Sequence, residues 1–245
     1  MARAGYGDRV EGVHSVAAAA AAGRITRLYV ERPRRGRPPI DAIVDELGST
    51  RVTVVPDVRS HAETDAPQGV VAECRPIMPV GLDTFAAPGA AVLVLDHLQD
   101  PQNVGAVARS ARAAGLSGLV VPERRSSPLS AAAFKASAGA LETLPVAVVG
   151  PIPEALSRLK KAGLWVVGLD AGGESDLFGL EILTEPVAVV IGAEGAGLAE
   201  LTRKRCDLIA SIPMADFDSL NASVTAALAS FEIMRARSEA AGSRY

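Results

Sequence analysis

Cysteine is nearly absent from this sequence. The two present, Cys74 and Cys206, lie far apart, with no histidine or further cysteine at metal-ligand spacing. A disulfide framework and a zinc site are therefore not expected, nor any other bound metal. Aromatic residues make up only 4%, so the core must be built from Ala, Val, Leu and Ile. No window is long and apolar enough to span a membrane. The N-terminus lacks the apolar core of a signal peptide, because Ser15–Ala22 is short and alanine-rich. These absences point to a cytoplasmic protein with reduced thiols and no membrane partner. A basic excess is lacking too: the formal net charge is −3. A nucleic-acid partner would then need a local basic face on a mildly acidic chain.

What is present fits an ordinary globular protein of 245 residues, enough for a small domain joined to a medium one. Val13–Ala22 favours helix and is stopped by Gly23; Ile25–Val30 is a β-type run. Pro39–Leu47 carries Ile40, Ile43, Val44 and Leu47 at the spacing of one helix face. Val52–Val55 and Gly69–Ala72 are predicted strands. Between Arg75 and Gly89 the breakers Pro76, Pro79, Gly81, Pro88 and Gly89 interrupt any regular element. The predicted division is a first domain over residues 1–75, a linker over 76–90 and a second domain over 91–245.

In the second domain the rhythm is strand–helix–strand. Ala91–Leu95, Leu119–Val121, Val146–Val149, Leu164–Leu169, Val187–Ile191 and Leu208–Ile212 are apolar runs. Asn103–Ala114, Pro153–Ala162, Leu198–Arg205 and Asn221–Arg237 are helical. Continuous apolar strands alternating with helices predict an α/β fold with a parallel sheet covered on both faces.

Ligands of such sheets bind beyond the carboxyl ends of the strands. There this sequence places Asp96–Gly105, Asp170–Gly173, Gly192–Gly197 and Pro213–Asn221. GAEGAG does not have the spacing of a dinucleotide fingerprint, and a plain tight turn explains it as well as a close ligand does. Alone, Asn103 and Asn221 are explained as helix caps. Arg109 and Arg112 are explained as a solvated helix face. His14 and His97 are expected to be structural or on the surface, and Trp165 to lie in the core.

Taken in order, DPQNVGAVARSARAAG, IGAEGAGL and IPMADFDSLNASVTAALASFE closely resemble the three signature motifs of the SpoU, or TrmH-like, RNA ribose methyltransferases. FKASAGALETLPV resembles the family's mid-domain segment. EGVHSVAAA and APQGVVAE resemble the small substrate-binding domain of the bacterial ribosomal RNA guanosine 2′-O-methyltransferases, which is similar to a ribosomal protein fold. Relatives often carry His where this chain has Pro67, and Ser where it has Asp218; the chain is also one residue shorter between Met214 and Ser219.

The resemblance implies a SPOUT-type second domain with a deep trefoil knot, a homodimer with active sites near the subunit interface, and S-adenosylmethionine as cofactor. It implies catalytic roles for Asn103, Arg109, Glu194, Ser219 and Asn221. In the matching positions, Gly168, Leu169, Gly192, Gly195, Ile212, Met214 and Leu220 are the implied cofactor contacts, with Ile212 and Leu220 on either side of the adenine. The implied partner is RNA, with a guanosine of 23S ribosomal RNA as target. A transfer RNA enzyme, an antibiotic-resistance ribosomal enzyme and a non-catalytic ribosome-assembly factor are the alternatives.

A guanidinium is not readily deprotonated, so Arg109 suits phosphate binding and charge stabilisation better than general-base work. For Asn103 to share a site with Arg109, a loop position is expected. The loop RPRRGRPP packs Arg32, Arg34, Arg35 and Arg37 without balancing acids and is a candidate phosphate clamp; Arg124 and Arg125 follow a strand of the second domain. Arg203, Lys204 and Arg205 are expected to be a solvated face.

Overall fold

The computed structural model describes residues 5–32, 39–124, 126–195, 197–215 and 219–242. The first domain holds β1 (Arg9–Glu11), α1 (Val13–Ala21), β2 (Ile25–Glu31), α2 (Ile40–Leu47), β3 (Val52–Val55) and β4 (Val70–Cys74). Its sheet runs β1-β4-β2-β3, parallel between β2 and β3 and antiparallel elsewhere. The expected face of α2 is the buried one, Ile40, Ile43, Val44 and Leu47.

The second domain holds β5 (Ala91–Leu95), α3 (Pro101–Ala113), β6 (Gly118–Pro122), α4 (Ala131–Ser137), β7 (Val146–Val149), α5 (Ile152–Lys161), β8 (Trp165–Leu169), β9 (Ser175–Asp176), β10 (Val187–Ile191), α6 (Glu200–Arg203), β11 (Leu208–Ser211) and α7 (Ala222–Ala240). Its seven strands are all parallel, in the order β7-β6-β5-β10-β8-β11-β9. The expected parallel α/β sheet is thus present. Alternate residues of β5 serve opposite faces. Ala91, Leu93 and Leu95 enter one core layer; Val92 and Val94 enter the other. Each fully buried Leu or Val contributes about 1.5–3 kcal/mol. From β5 the chain steps outward to β6 and β7, and later strands fill the other side, so the strand order reverses between β5 and β10. Such a reversal opens a crevice at the carboxyl edge.

Two features differ from expectation, and a third adds to it. Residues 76–90 are mostly exposed, yet a few contacts tie them to both sheets. Ile77 pairs with Tyr6, and the Val80 N–H donates to the Val146 carbonyl at 3.0 Å. The short turn Leu82–Phe85 buries Leu82 and Phe85 under the second sheet. The breakers prevent a long helix, but two large apolar side chains still find cover. Trp165 is 47% exposed, not core, because it stands at the amino end of β8. Asn103 lies inside α3, where Asp100 is the cap and accepts the Gln102 N–H at 2.8 Å.

The two domains are docked. Arg24 Nε and Nη2 donate to the two oxygens of Glu142 at 2.7 and 2.6 Å, with the side chains 11% and 1% exposed. The same guanidinium donates to the Gly7 and Arg75 carbonyls and lies over the Phe134 ring. Ser15 Oγ donates to the Phe134 carbonyl at 2.9 Å. Arg24→Ala leaves the Glu142 carboxylate buried and unpaired. We expect a loss of about 3 kcal/mol in urea unfolding; an unchanged midpoint would show that the pair adds nothing to docking.

Candidate active site

The loops after β8, β10 and β11 meet the start of α7 around a cavity of about 300 Å³. Leu169, Ile191, Ile212 and Leu220 give it apolar walls, while Gly192, Gly195 and Gly197 present bare backbone. Met214 and Ser219 complete the side supplied by the last loop.

The glycine loop is folded on itself. Ala193 and Gly197 exchange both backbone hydrogen bonds, at 3.1 and 2.9 Å. A Cβ on Gly192 would stand 2.3 Å from the Gly197 carbonyl carbon. Gly192 is therefore required by closure of the loop itself. Gly195, at φ 72°, has nothing within 4 Å of a built Cβ and faces open space.

Asp170 was not singled out from the sequence, yet it lines the cavity. The available signal was its place as the first residue after β8. Burial works to raise its pKa. Hydrogen bonds from the Gly172 N–H, at 3.1 Å, and from Arg203, at 2.8 Å, outweigh this and hold the carboxyl below its ordinary range. Arg203 is thus not a merely solvated charge: it ties α6 to the cavity wall.

Three polar side chains from distant segments converge at Glu194, which lines the cavity, while Asn103 and Asn221 do not. Asn103 Nδ2 donates to Glu194 Oε1 at 2.5 Å, and Asn221 Nδ2 donates to the same oxygen at 2.8 Å. Asn221 Nδ2 also lies 3.2 Å from Asn103 Oδ1. Asn221 caps α7 as well, its Oδ1 accepting the Ser223 N–H at 2.8 Å. One side chain therefore makes both contacts: the oxygen caps the helix and the nitrogen donates to Glu194. Asn103 is buried in the first turn of α3, so its amide is held by the helix rather than by a loop.

Other expected site residues lie elsewhere. Arg109 is exposed on α3 and does not line the cavity. Six helical residues turn it about 120° from Asn103 and carry it about 9 Å along the axis. Gly168 does not line the cavity either; a Cβ there would meet Leu198, Cys206 and Ile209 within 2.9 Å, so its small size serves packing. Arg32 is exposed at the end of β2. Arg124 lines a second cavity, beyond β6. Arg34, Arg35, Arg37 and Arg125 lie outside the described residues.

The SpoU rRNA Methylase family model matches residues 90–231, and the model for RNA 2′-O ribose methyltransferase substrate binding matches residues 9–80. The chain belongs to the SpoU family of RNA 2′-O-ribose methyltransferases. A Staphylococcus saprophyticus protein assigned to the TrmH family of tRNA/rRNA methyltransferases is 34% identical, over 93% of this chain and 95% of its own length. The 23S rRNA (guanosine-2′-O-)-methyltransferase RlmB of Pseudomonas syringae is also 34% identical, over 94% and 96%. Some relatives are longer; the chain spans 51% of one from Synechocystis. The crystal structure of the SpoU methyltransferase AviRb from Streptomyces viridochromogenes with AdoMet has a TM-score of 0.79 and 26% identity, covering 94% of this chain and 90% of that one.

As a SpoU enzyme the chain is an RNA (ribose-2′-O)-methyltransferase that uses S-adenosylmethionine. The first cavity fits that cofactor. Apolar walls suit an adenine, glycine backbone allows close approach, and the Asp170 carboxylate offers an acceptor for ribose hydroxyls. Among the described residues no helix is long and apolar enough to cross a membrane.

Proposed function

We propose that this SpoU enzyme methylates the 2′-hydroxyl of a guanosine in 23S ribosomal RNA, in the cytoplasm and as a homodimer. The likeness to RlmB over nearly the whole of both chains supports the substrate. The observation that carries the site assignment is the pair of amides on one Glu194 oxygen, at the mouth of the cavity. We further read the second domain as carrying a trefoil knot, in keeping with its SPOUT-type neighbours.

Leu169, Gly192, Gly195, Ile212, Met214 and Leu220 would hold S-adenosylmethionine, with Asp170 added to the sequence-based set and Gly168 acting through packing. When bound, the cofactor supplies a methyl group on a sulfonium, a good leaving group. The protein's own task is to place the ribose oxygen in line and stabilise the charge that grows on it. Glu194 accepts from both amides and so fixes Asn103 and Asn221 relative to each other. Ser219 sits on the same rim and offers a hydroxyl to the substrate. These hydrogen bonds hold the groups together before any ligand arrives, and polar groups fixed in advance are what favours charge development in a site.

Arg109 is the exception: it is exposed on α3, makes no hydrogen bond with the Asn103–Glu194–Asn221 cluster, and does not line the cavity. We assign it to the partner's site in the homodimer. Val224 and Phe231 are 45% and 44% exposed on α7, which packs against α3, and Phe178 is exposed nearby. An apolar face of this kind suits a subunit contact. Two inactive variants, Arg109→Ala and Asn221→Ala, are therefore expected to regain activity when mixed and allowed to exchange subunits. Failure to regain any activity in a confirmed mixed dimer would place Arg109 in its own chain's site.

Arg32, Arg34, Arg35, Arg37, Arg124 and Arg125 are the proposed RNA contacts. Neutralising Arg34 and Arg35 should flatten the salt dependence of RNA binding. The target itself is tested by mapping ribose methylation in ribosomal RNA with and without the protein. One guanosine of 23S RNA should gain its methyl group only in the protein's presence; a site in transfer RNA instead would overturn the ribosomal assignment.

A further inference from the structure

A second cavity, of about 360 Å³, opens beyond the carboxyl ends of β5, β6 and β7. It is lined by His97, Pro122, Glu123, Arg124, Pro151 and Ile152, with Gly150 in the turn between them. None of these residues belongs to the cofactor cavity. Both cavities lie on the same edge of one sheet, on either side of the reversal in strand order.

Asp96 joins the two. Its side chain is fully buried. Its Oδ2 accepts the Ala199 N–H at 2.9 Å, just past the glycine loop of the cofactor cavity. Its Oδ1 accepts from His97 Nδ1 at 2.6 Å. His97 has φ 65°, a backbone conformation that L residues rarely adopt. The strained backbone and the buried carboxylate together aim a half-exposed imidazole at the second cavity. With Nδ1 committed to Asp96, Nε2 is the ring nitrogen left to meet a ligand. Arg124 is exposed at the rim and has no ion pair among the described residues.

We propose that this second cavity receives one unpaired nucleotide of the RNA substrate, next to the nucleotide that is methylated. The inference rests on the RNA methyltransferase reading. The enzyme has two substrates, and the small one already has its cavity, so a second cavity on the same edge falls to the RNA. The volume exceeds that needed by an ion or a lone phosphate. The lining is also wrong for a plain anion site, because Glu123 would repel one. A nucleotide satisfies the whole set. Its phosphate meets Arg124, ring N–H or amino groups of its base meet Glu123, and its flat face meets the rings of Pro122, Pro151 and His97. Single-stranded RNA is commonly bound through splayed-out bases of this kind.

The test uses the full-length protein and ribosomal RNA transcripts carrying 4-thiouridine or 6-thioguanosine. Irradiation in the presence of S-adenosylhomocysteine should crosslink RNA to His97 or to the segment 122–124. Two variants are then compared with the parent. His97→Asn keeps an amide donor for the buried Asp96 and tolerates the positive φ, and Arg124→Ala changes an exposed side chain, so both should fold. Each should raise KM for RNA about ten-fold, with kcat within about two-fold and S-adenosylmethionine affinity unchanged. Arg124→Ala should also lower the salt slope of RNA binding by about one. Crosslinks only elsewhere, or an unchanged KM in both variants, would overturn the inference while leaving the enzyme reading intact. Failure of the parent protein to methylate or bind RNA would overturn both.

Discussion

Replacing Asn221 by Asp is expected to abolish methyl transfer while leaving the protein folded. The aspartate retains an oxygen to accept the Ser223 N–H, so α7 keeps its cap. The other oxygen replaces the amide that now donates to Glu194 at 2.8 Å. Two carboxylates then face each other at the mouth of the cavity, and one must move away or take a proton. Either result releases Asn103 from its fixed relation to Asn221. We expect kcat to fall about 10³-fold, a loss of roughly 4 kcal/mol in transition-state stabilisation. Asn221→Ala separates the two duties of this residue. It should lose similar activity and, in addition, about 1 kcal/mol of stability from the missing cap. Thermal unfolding alongside single-turnover transfer measures both. If Asn221→Asp retained more than a tenth of parental kcat, the shared Glu194 oxygen would not be the organising feature of the site.

The second large effect is expected at Gly192. A Cβ there would meet backbone on three sides: the Gly197 carbonyl carbon at 2.3 Å, its oxygen at 2.4 Å and the Leu198 nitrogen at 2.7 Å. None of these is a flexible side-chain end, so Gly192→Ala must force the loop open. The loop is one wall of the cofactor cavity, and the loss should appear as weakened S-adenosylmethionine binding. We expect about 100-fold weaker binding by titration calorimetry. Gly172→Ala is the matched control. Its added methyl would come no closer than 3.6 Å to Asp170, and its affinity should stay within about two-fold of the parent. Equal behaviour of the two variants would show that the closed loop does not shape the cofactor site.

The sheet was legible in the sequence because its strands are buried on both faces. Ala91–Leu95 and Val187–Ile191 have no polar residue, and every position of both is buried. Shorter elements carried no such signal. β1 has three residues, β9 has two, and α4, of seven, is too short to display a helical period. The docking of the domains was invisible for another reason. Arg24 and Glu142 are 118 positions apart, and neither neighbourhood marks the other as a partner.

The site divides in the same way. Asn103, Glu194, Ser219 and Asn221 were found through the ordered motifs, not through spacing; taken singly, the two asparagines were explained as caps. Asn221 is indeed a cap, and its amide nitrogen also reaches Glu194, so the cap does not exclude the proposed role. Asp170 was passed over because an acidic residue after a strand is unremarkable until Arg203 and the cavity are seen around it. Arg109 matches a motif, but a motif does not say towards which surface of α3 the side chain turns. His97 carried no trace in the sequence of its positive φ or of its buried partner Asp96.

The central claim is that the amide pair held by Glu194 works beside a bound methyl donor to modify a ribose oxygen. Incubation of unmodified ribosomal RNA with S-adenosylmethionine labelled with deuterium in its methyl group, followed by nucleoside mass spectrometry, tests it most directly. The labelled methyl should appear on the ribose of a 2′-O-methylated nucleoside, and should vanish with Asn221→Asp. A label found on a base, or ribose label undiminished in that variant, would contradict the account.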